Sequence, residues 1–314
     1  MQLNIGDAKI ILLCNSLIAV PAMRELLFYQ RISAIIVPAK NREVTGVVKE
    51  QIAGSSVELL TVSRKDFEQK IKEAIVVHKP AAAIMMTFPY IISKEILSLP
   101  PKGFINFHYG KLPEYRGPEP IFTQIIKREK QPALTVHVVR EGVDNGPVIL
   151  QETVSYDEND TYGMLQQKMA NAGARQVTLL MKIISFGNIL PSTPQDESKA
   201  VYHKKPTAAD LVINWQTMNS ADIKALVNAC NPWNKGCGAK INEQIIGITE
   251  VEIQDTITET YPPGFIIELN REKGLLASTC DKKIIKINIV YSETGFMSAS
   301  RLIEMGLKAG DRFS

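Results

Sequence analysis

The sequence GFINFHYGKLPEYRGPEP, residues 103–120, indicates both the fold and the position of its chemistry. Apolar residues in it alternate with Asn106 and His108, so residues 104–107 are predicted to form a buried strand with these two polar side chains on one face. The following segment is rich in Gly and Pro and is predicted to be a loop. Sites of open α/β sheets lie beyond the carboxyl ends of the strands. We therefore expect a candidate active site here.

The composition excludes several classes of protein. The 314 residues are 45% hydrophobic and 22% charged, which is ordinary for a globular protein and enough for two domains. A net charge of +3 is too small to indicate nucleic-acid binding by itself, and no DNA partner is expected. The four cysteines form no C-x-x-C pair, so neither a metal site nor a disulfide framework is indicated. No apolar run reaches the roughly 18 residues that cross a bilayer, which predicts a cytoplasmic protein without a membrane partner.

Strand-like and helix-like segments alternate along the first half of the chain. Predicted strands lie at 9–14, 33–37, 57–61, 82–87 and 104–107, and predicted helices at 18–28, 64–78, 93–97, 121–128 and 161–184. Two further apolar runs, 134–139 and 147–154, are expected to pair with each other. This alternation predicts a doubly wound α/β fold with a mainly parallel sheet.

The composition changes after the long helix. Residues 188–210 are rich in Pro, Ser, Thr and charge without apolar periodicity, which is typical of an interdomain linker. One helix near 220–229 and several short β-like runs between 245 and 290 then predict a small β-barrel. The predicted division is a domain at 1–187, a linker at 188–210 and a second domain at 211–314.

Particular motifs resemble a known family. NFHYGKLPEYRG, followed by EGVDNGP at 141–147, is similar to the signature of folate-dependent formyltransferases. In the second half, INW at 213–215, NACNPWNKG at 228–236 and MSASRLIEMGLKAGDRF at 297–313 resemble the C-terminal domain of methionyl-tRNA formyltransferases. The resemblance implies a formyltransferase fold followed by an OB-like β-barrel domain, with 10-formyltetrahydrofolate as co-substrate and no metal.

The same resemblance implies that Asn106, His108 and Asp144 are catalytic. An amide can donate to a developing oxyanion, an imidazole can move protons near neutral pH, and a carboxylate can orient the imidazole. The implied folate contacts are Phe88, Pro89, Tyr90, Ile92, Gly110, Lys111, Leu112, Pro113, Glu141, Gly142 and Val143.

Some of these residues have alternative interpretations. Asp144 precedes Asn-Gly and could serve only to form an Asx turn. Arg116 could contact a substrate anion or brace its loop, with bracing favoured. Phe88, Pro89 and Tyr90 could form a pterin wall or only a packed strand end. His137, in an apolar run, is interpreted as structural.

Departures from the pattern of methionyl-tRNA formyltransferases bear on which amine accepts the formyl group. Methionyl-tRNA formyltransferases carry a G-T-P-like turn after the first strand and a long basic loop after the second. Here residues 14–19 read CNSLIA, and residues 38–58 are short, with Lys and Arg balanced by Glu. Lys111 and Glu114 also depart from the expected loop residues.

The predicted function is therefore N-formyl transfer from 10-formyltetrahydrofolate to a small or carrier-bound amine. The alternative is a methionyl-tRNA formyltransferase with a shortened tRNA-binding loop, which the second domain favours. A 10-formyltetrahydrofolate hydrolase and an inactive folate-binding module are further alternatives.

Overall fold

The computed structural model describes residues 6–187, 189–241 and 244–314, which form two compact units. The first unit runs through Pro120 and includes Gln131–Ser155 and Gln166–His203. The second comprises Ile121–Lys130, Tyr156–Leu165 and Lys204–Ser314. The division at 1–187, 188–210 and 211–314 stays a prediction, and Asn188, where the predicted linker begins, lies outside the described residues.

The first unit contains a seven-stranded sheet in the order β3-β2-β1-β4-β5-β6-β7. Its strands are β1 Ile10–Cys14, β2 Ile32–Pro38, β3 Glu58–Val62, β4 Ala82–Met86, β5 Phe104–His108, β6 Ala133–Val138 and β7 Val148–Thr153. Strands β1 to β5 are parallel, whereas β6 and β7 are antiparallel to their neighbours. The predicted mainly parallel sheet and the predicted pairing of the last two runs are confirmed.

The helices follow the predicted alternation, and one more lies between β2 and β3, where no helix was predicted. They are α1 Val20–Phe28, α2 Arg42–Gln51, α3 Phe67–His78, α4 Lys94–Leu97, α5 Pro120–Ile126, α6 Tyr162–Phe186 and α7 Ser220–Cys230. Helix α2 begins after Asn41, whose side chain accepts a hydrogen bond from the Val44 N–H at 3.1 Å. It buries only Val44 and Val48, four residues apart on one face. Among the described residues, no helix is long and apolar enough to cross a membrane.

Strand β5 lies inside the sheet, between β4 and β6. Phe104 and Phe107 are buried, at 0% and 1% exposure, because both faces of the sheet are covered at this strand. In the antiparallel register with β6, Asn106 lies opposite His137 and His108 lies opposite Thr135. Polar side chains from two neighbouring strands therefore meet near the carboxyl end of β5.

The second unit contains an antiparallel sheet in the order β10-β11-β12-β9-β8, with β13 paired to β12. Its strands are β8 Cys237–Ile241, β9 Gln244–Ile257, β10 Ile266–Asn270, β11 Gly274–Ser278, β12 Lys283–Ser292 and β13 Gly295–Ser298. The predicted second part, one helix followed by a β-rich region, is confirmed by α7 and this separate antiparallel sheet, although β8 and β13 were not predicted.

The end of the chain lies between the two edges of this sheet. The Ser314 N–H donates to the Lys240 carbonyl on β8, and the Phe313 N–H donates to the Gly264 carbonyl just before β10, both at 2.9 Å. The Phe313 ring is fully buried and stacks on Trp215 with 4.8 Å between ring centroids. The C-terminal residues thus connect edge strands that do not pair directly in the described residues.

Replacing this ring tests its contribution to the second unit. We expect Phe313→Ala to lower the free energy of unfolding by about 3–5 kcal/mol, because it removes a fully buried aromatic side chain. Urea denaturation followed by tryptophan fluorescence measures the loss. The control is Phe296→Ala, at a ring that is 64% exposed. Equal losses of unfolding free energy in the two variants would contradict a role of the Phe313 ring in connecting the edge strands.

Candidate active site

The amide of Asn106 is oriented by its neighbour on β6. Its Nδ2 lies 3.2 Å from Nε2 of His137, and Nδ1 of His137 lies 2.9 Å from the Val138 carbonyl. A carbonyl only accepts, so Nδ1 carries the ring proton and Nε2 of the neutral ring accepts from Asn106. One N–H of the amide is thereby directed at His137, which leaves its second N–H for another acceptor.

His108 is buried at the end of β5, with 5% exposure. Its Nε2 donates to the Tyr115 carbonyl at 2.7 Å, and its Nδ1 lies 3.5 Å from Oδ2 of Asp144. Burial lowers the pKa of His108 below its usual 6.5; the nearby Asp144 carboxylate opposes this effect and His137 adds to it. The imidazole is therefore mainly neutral near pH 7, with an unprotonated Nδ1 that can accept a proton.

Asp144 is held on the loop between β6 and β7 with a left-handed backbone, at φ 53°. Its Oδ2 accepts from the Gly117 N–H at 3.0 Å, and its Oδ1 lies 3.6 Å from Nε2 of His137. Burial alone would raise the pKa of Asp144, but attraction to His108, the nearby His137 ring and the hydrogen bond from the Gly117 N–H lower it to about 2. The carboxylate is thus ionised at neutral pH.

The structure brings the three residues predicted to be catalytic together, and His137 lies beside them. Asp144 faces His108 directly, whereas Asn106 is connected to Asp144 through His137. The interpretation of His137 as merely structural does not account for these contacts. The signal that could have identified it is the antiparallel pairing of β6 with β5, which sets His137 opposite Asn106.

The loop after β5 is tightly fitted around His108. A Cβ on Gly110 would lie 2.8 Å from Nε2 of His108, so a larger residue does not fit without a shift. The Thr135 hydroxyl donates to the Gly110 carbonyl at 2.7 Å and accepts from the Leu112 N–H at 3.2 Å. Gln151 on β7 donates to the Leu112 carbonyl at 3.0 Å. The loop is therefore held by the two neighbouring strands, with Lys111 and Pro113 half-buried.

The other predicted folate contacts lie on two adjacent loops. After β4, Phe88 and Tyr90 pack edge to face, with 5.4 Å between centroids, and join a core cluster that includes Ile92, whereas Pro89 is exposed. Glu141, Gly142 and Val143 are exposed on the loop after β6. An ion pair of 3.3 Å between Lys94 and Glu141 connects the two regions. Phe88 and Tyr90 are thus packed at a strand end and still partly accessible.

Arg116 contacts protein groups that suit the bracing alternative. Its guanidinium forms two hydrogen bonds with the Glu197 carboxylate, at 3.0 and 2.6 Å, and two with Oε1 of Gln195, at 3.1 and 2.8 Å. The residue is only 9% exposed. Both partners come from the segment that the sequence analysis interpreted as a linker.

Comparison with known proteins assigns the chain to a family. The model of the family described as "Formyl transferase" matches residues 29–181, and that described as "Formyl transferase, C-terminal domain" matches residues 205–303. A methionyl-tRNA formyltransferase of Kosmotoga olearia is 31% identical over 244 residues, which cover 76% of this chain and 77% of the relative. The chain belongs to the formyltransferase family. It is therefore an enzyme that transfers formyl groups.

Further similarities extend over both units of this formyltransferase. A methionyl-tRNA formyltransferase of Caldanaerobacter subterraneus subsp. tengcongensis is 28% identical over 286 residues, covering 88% of this chain and 89% of that protein. Among solved structures, an N-formyltransferase of Helicobacter canadensis in complex with folinic acid and dTDP-3-aminofucose has a TM-score of 0.68 at 18% identity. That match covers 90% of this chain and 99% of the solved one. It shows that the two chains share a fold.

The electrostatic coupling in the formyltransferase site is directly measurable. We expect Asp144→Asn to lower the pKa of His108 further, because the carboxylate stabilises the protonated imidazole and its loss removes the largest effect that opposes burial. NMR titration of 15N-labelled histidine follows all four imidazoles. Asp66→Asn, at a carboxylate on the surface before α3, serves as the control. An unchanged or higher pKa of His108 in Asp144→Asn would contradict the described contact.

Proposed function

We propose that this formyltransferase moves the formyl group of 10-formyltetrahydrofolate to an amine acceptor. The observation that carries the proposal is the cluster at the end of β5. There an oriented amide, a mainly neutral imidazole and an ionised carboxylate lie close together, with distances of 3.2 Å from Asn106 to His137 and of 3.5 and 3.6 Å from Asp144 to His108 and His137. Formyl transfer needs a donor for an oxyanion and a group that moves protons. This cluster offers both without a change of charge at the amide.

In the proposed reaction, Asn106 stabilises the tetrahedral intermediate. The acceptor nitrogen forms a bond to the formyl carbon, and the carbonyl oxygen becomes an oxyanion that accepts from the second Nδ2 hydrogen of Asn106. His137 holds the amide in the orientation that directs this hydrogen away from itself. The bond from the formyl carbon to N10 then breaks, N10 takes a proton, and a formamide and tetrahydrofolate are released.

In this proposal His108 transfers the proton, and Asp144 stabilises the charged imidazole that results. Because Nε2 of His108 is engaged by the Tyr115 carbonyl, Nδ1 is the nitrogen that accepts the proton lost by the attacking amine. The resulting imidazolium lies next to the Asp144 carboxylate, which stabilises it. The proton can then be given to the departing nitrogen.

The predicted folate contacts fit a flat heterocycle with polar edges. The half-buried aromatic side chains Phe88 and Tyr90 offer an apolar wall, and the exposed backbone of residues 141–143 offers donors and acceptors. An ion pair between Lys94 and Glu141 spans the distance between these two regions. We propose that these residues, with Gly110, Lys111, Leu112 and Pro113, bind the co-substrate.

For the acceptor, we propose a small or carrier-bound amine. The segment between β2 and β3 is occupied by the short helix α2, in which Arg42 and Lys49 are accompanied by Glu43 and Glu50. Binding a tRNA backbone depends on uncompensated positive charge, and this helix carries none in net terms. The solved N-formyltransferase in complex with dTDP-3-aminofucose matches 90% of this chain, so the match extends into the second unit and the second unit fits this class of acceptor.

Methionyl-tRNA is the second candidate acceptor. The observation that favours it is the similarity to methionyl-tRNA formyltransferases over most of the chain, including the C-terminal family match at residues 205–303. Both candidates require the same donor chemistry at β5, so they differ only in the acceptor.

One assay tests the reaction and separates the acceptors. Purified protein with 10-formyltetrahydrofolate is incubated with methionyl-tRNA, with a panel of small amines including nucleotide-linked aminosugars, or with water alone, and tetrahydrofolate release is followed. We expect release that depends on a small amine. Release only with methionyl-tRNA would support the second candidate, equal release in water would indicate a hydrolase, and no release in any arm would contradict formyl transfer.

The proposed role of His108 has its own test. We expect His108→Ala to lower turnover by at least about 100-fold, because positioned acid-base groups contribute about that much, while the circular dichroism spectrum is retained. His78→Ala is the matched control, since that histidine pairs with Glu58 on α3 and β3, outside the site. Wild-type turnover in His108→Ala would contradict its catalytic role.

A further inference from the structure

We propose that Gln195 is a positioning residue for the Asp144 carboxylate, and that residues 193–203 act as a strap across two loops of the site. The inference rests on the proposed function of Asp144 and His108. The strap falls in the segment that the sequence predicted to be a linker, yet it belongs to the first compact unit as far as His203.

Backbone hydrogen bonds attach the strap at both ends. At one end, Thr193 and Val148 exchange reciprocal N–H to carbonyl bonds, each of 2.8 Å. At the other end, the Arg116 N–H donates to the Val201 carbonyl at 3.0 Å and the His203 N–H donates to the Arg116 carbonyl at 2.8 Å. The strap therefore joins the loop after β5 to the start of β7.

Gln195 connects the same two loops in the middle of the strap. Its Nε2 donates to the carbonyls of Asp144 and Gly146, both at 2.7 Å. Its Oε1 accepts from Nε and Nη2 of Arg116. The donors and acceptors around the amide allow only this orientation, because carbonyls cannot donate and a guanidinium cannot accept. With its amide fully engaged by protein groups, Gln195 acts through Asp144 rather than on a substrate.

Arg116 connects the strap to the loop that contacts His108. Its neighbours in the chain make the two backbone contacts of the cluster: the Tyr115 carbonyl accepts from His108, and the Gly117 N–H donates to Asp144. Glu197 on the strap pairs with the Arg116 guanidinium in a two-pronged geometry, which fixes direction as well as distance. A Cβ on Gly117 would lie 2.1 Å from the His203 carbonyl, so the strap passes close to this loop.

The constraint matters because much of the Asp144 loop is exposed. Its backbone is left-handed at Asp144, and Asn145 and Glu141 beside it are exposed. The Gln195 amide supplies a donor to two carbonyls of this loop, those of Asp144 and Gly146. Removing it leaves both carbonyls without that donor, which we expect to let the carboxylate withdraw from His108 and from the Gly117 N–H.

Two substitutions at Gln195 test the inference. In Gln195→Ala we expect kcat to fall about tenfold or more, with KM for the folate and the acceptor within about threefold of wild type. The isosteric Gln195→Glu keeps a partner for Arg116 but replaces the donor to the two carbonyls with an oxygen. We therefore expect kcat to fall by a similar factor. NMR titration should show a lower pKa for His108 in both variants, because the carboxylate that stabilises the imidazolium has moved.

The control is Lys199→Ala, on the same strap, where the exposed side chain pairs with Asp196 at 3.5 Å. This variant should leave both readouts unchanged. Wild-type kcat together with a wild-type pKa of His108 in Gln195→Glu would overturn the inference. This outcome decides the matter even if Gln195→Ala does not fold. An inactive wild type would contradict the proposed function alone, because the pKa of His108 still reports the position of Asp144 without turnover.

Discussion

A buried carboxylate must be compensated by nearby charge or hydrogen bonds, and the site is arranged around the compensation of Asp144. Its partners come from three separate places in the chain: His108 ends β5, His137 lies on β6, and Gly117 lies in the loop after β5. Their combined effect keeps the pKa of Asp144 at about 2 despite burial. The antiparallel pairing of β6 with β5 is what allows one carboxylate to face both imidazoles.

In the proposed function, two pairs of side chains have different roles in formyl transfer. Asn106 is oriented by His137 and would donate its other hydrogen to the oxyanion, whereas His108 is paired with Asp144 and would accept the proton on Nδ1. Neither pair describes the acceptor. In the proposed function the acceptor depends on other parts of the chain, among them helix α2 with its balanced charges and the second unit with its closed antiparallel sheet.

Much of the fold could be predicted from local patterns. The alternation of apolar runs with amphipathic segments predicted β1 to β7 in order, and the polar pair Asn106 and His108 predicted the position of the site. His137 could not be recognised in this way, because an apolar run gives no sign of what its neighbour carries. Gln195 was missed for a similar reason: its bonds reach 49 and 51 residues back along the chain, and its surroundings have the composition of a linker.

We propose that the strap acts on catalysis through the Asp144 carboxylate. The most direct test is a double-mutant cycle in kcat between Gln195→Ala and Asp144→Asn. If Gln195 only positions that carboxylate, removing Gln195 should hardly change kcat in a variant that already lacks the carboxylate. The double variant should therefore be about as slow as Asp144→Asn alone. Multiplication of the two single effects in the double variant would show that they act independently and would contradict the account.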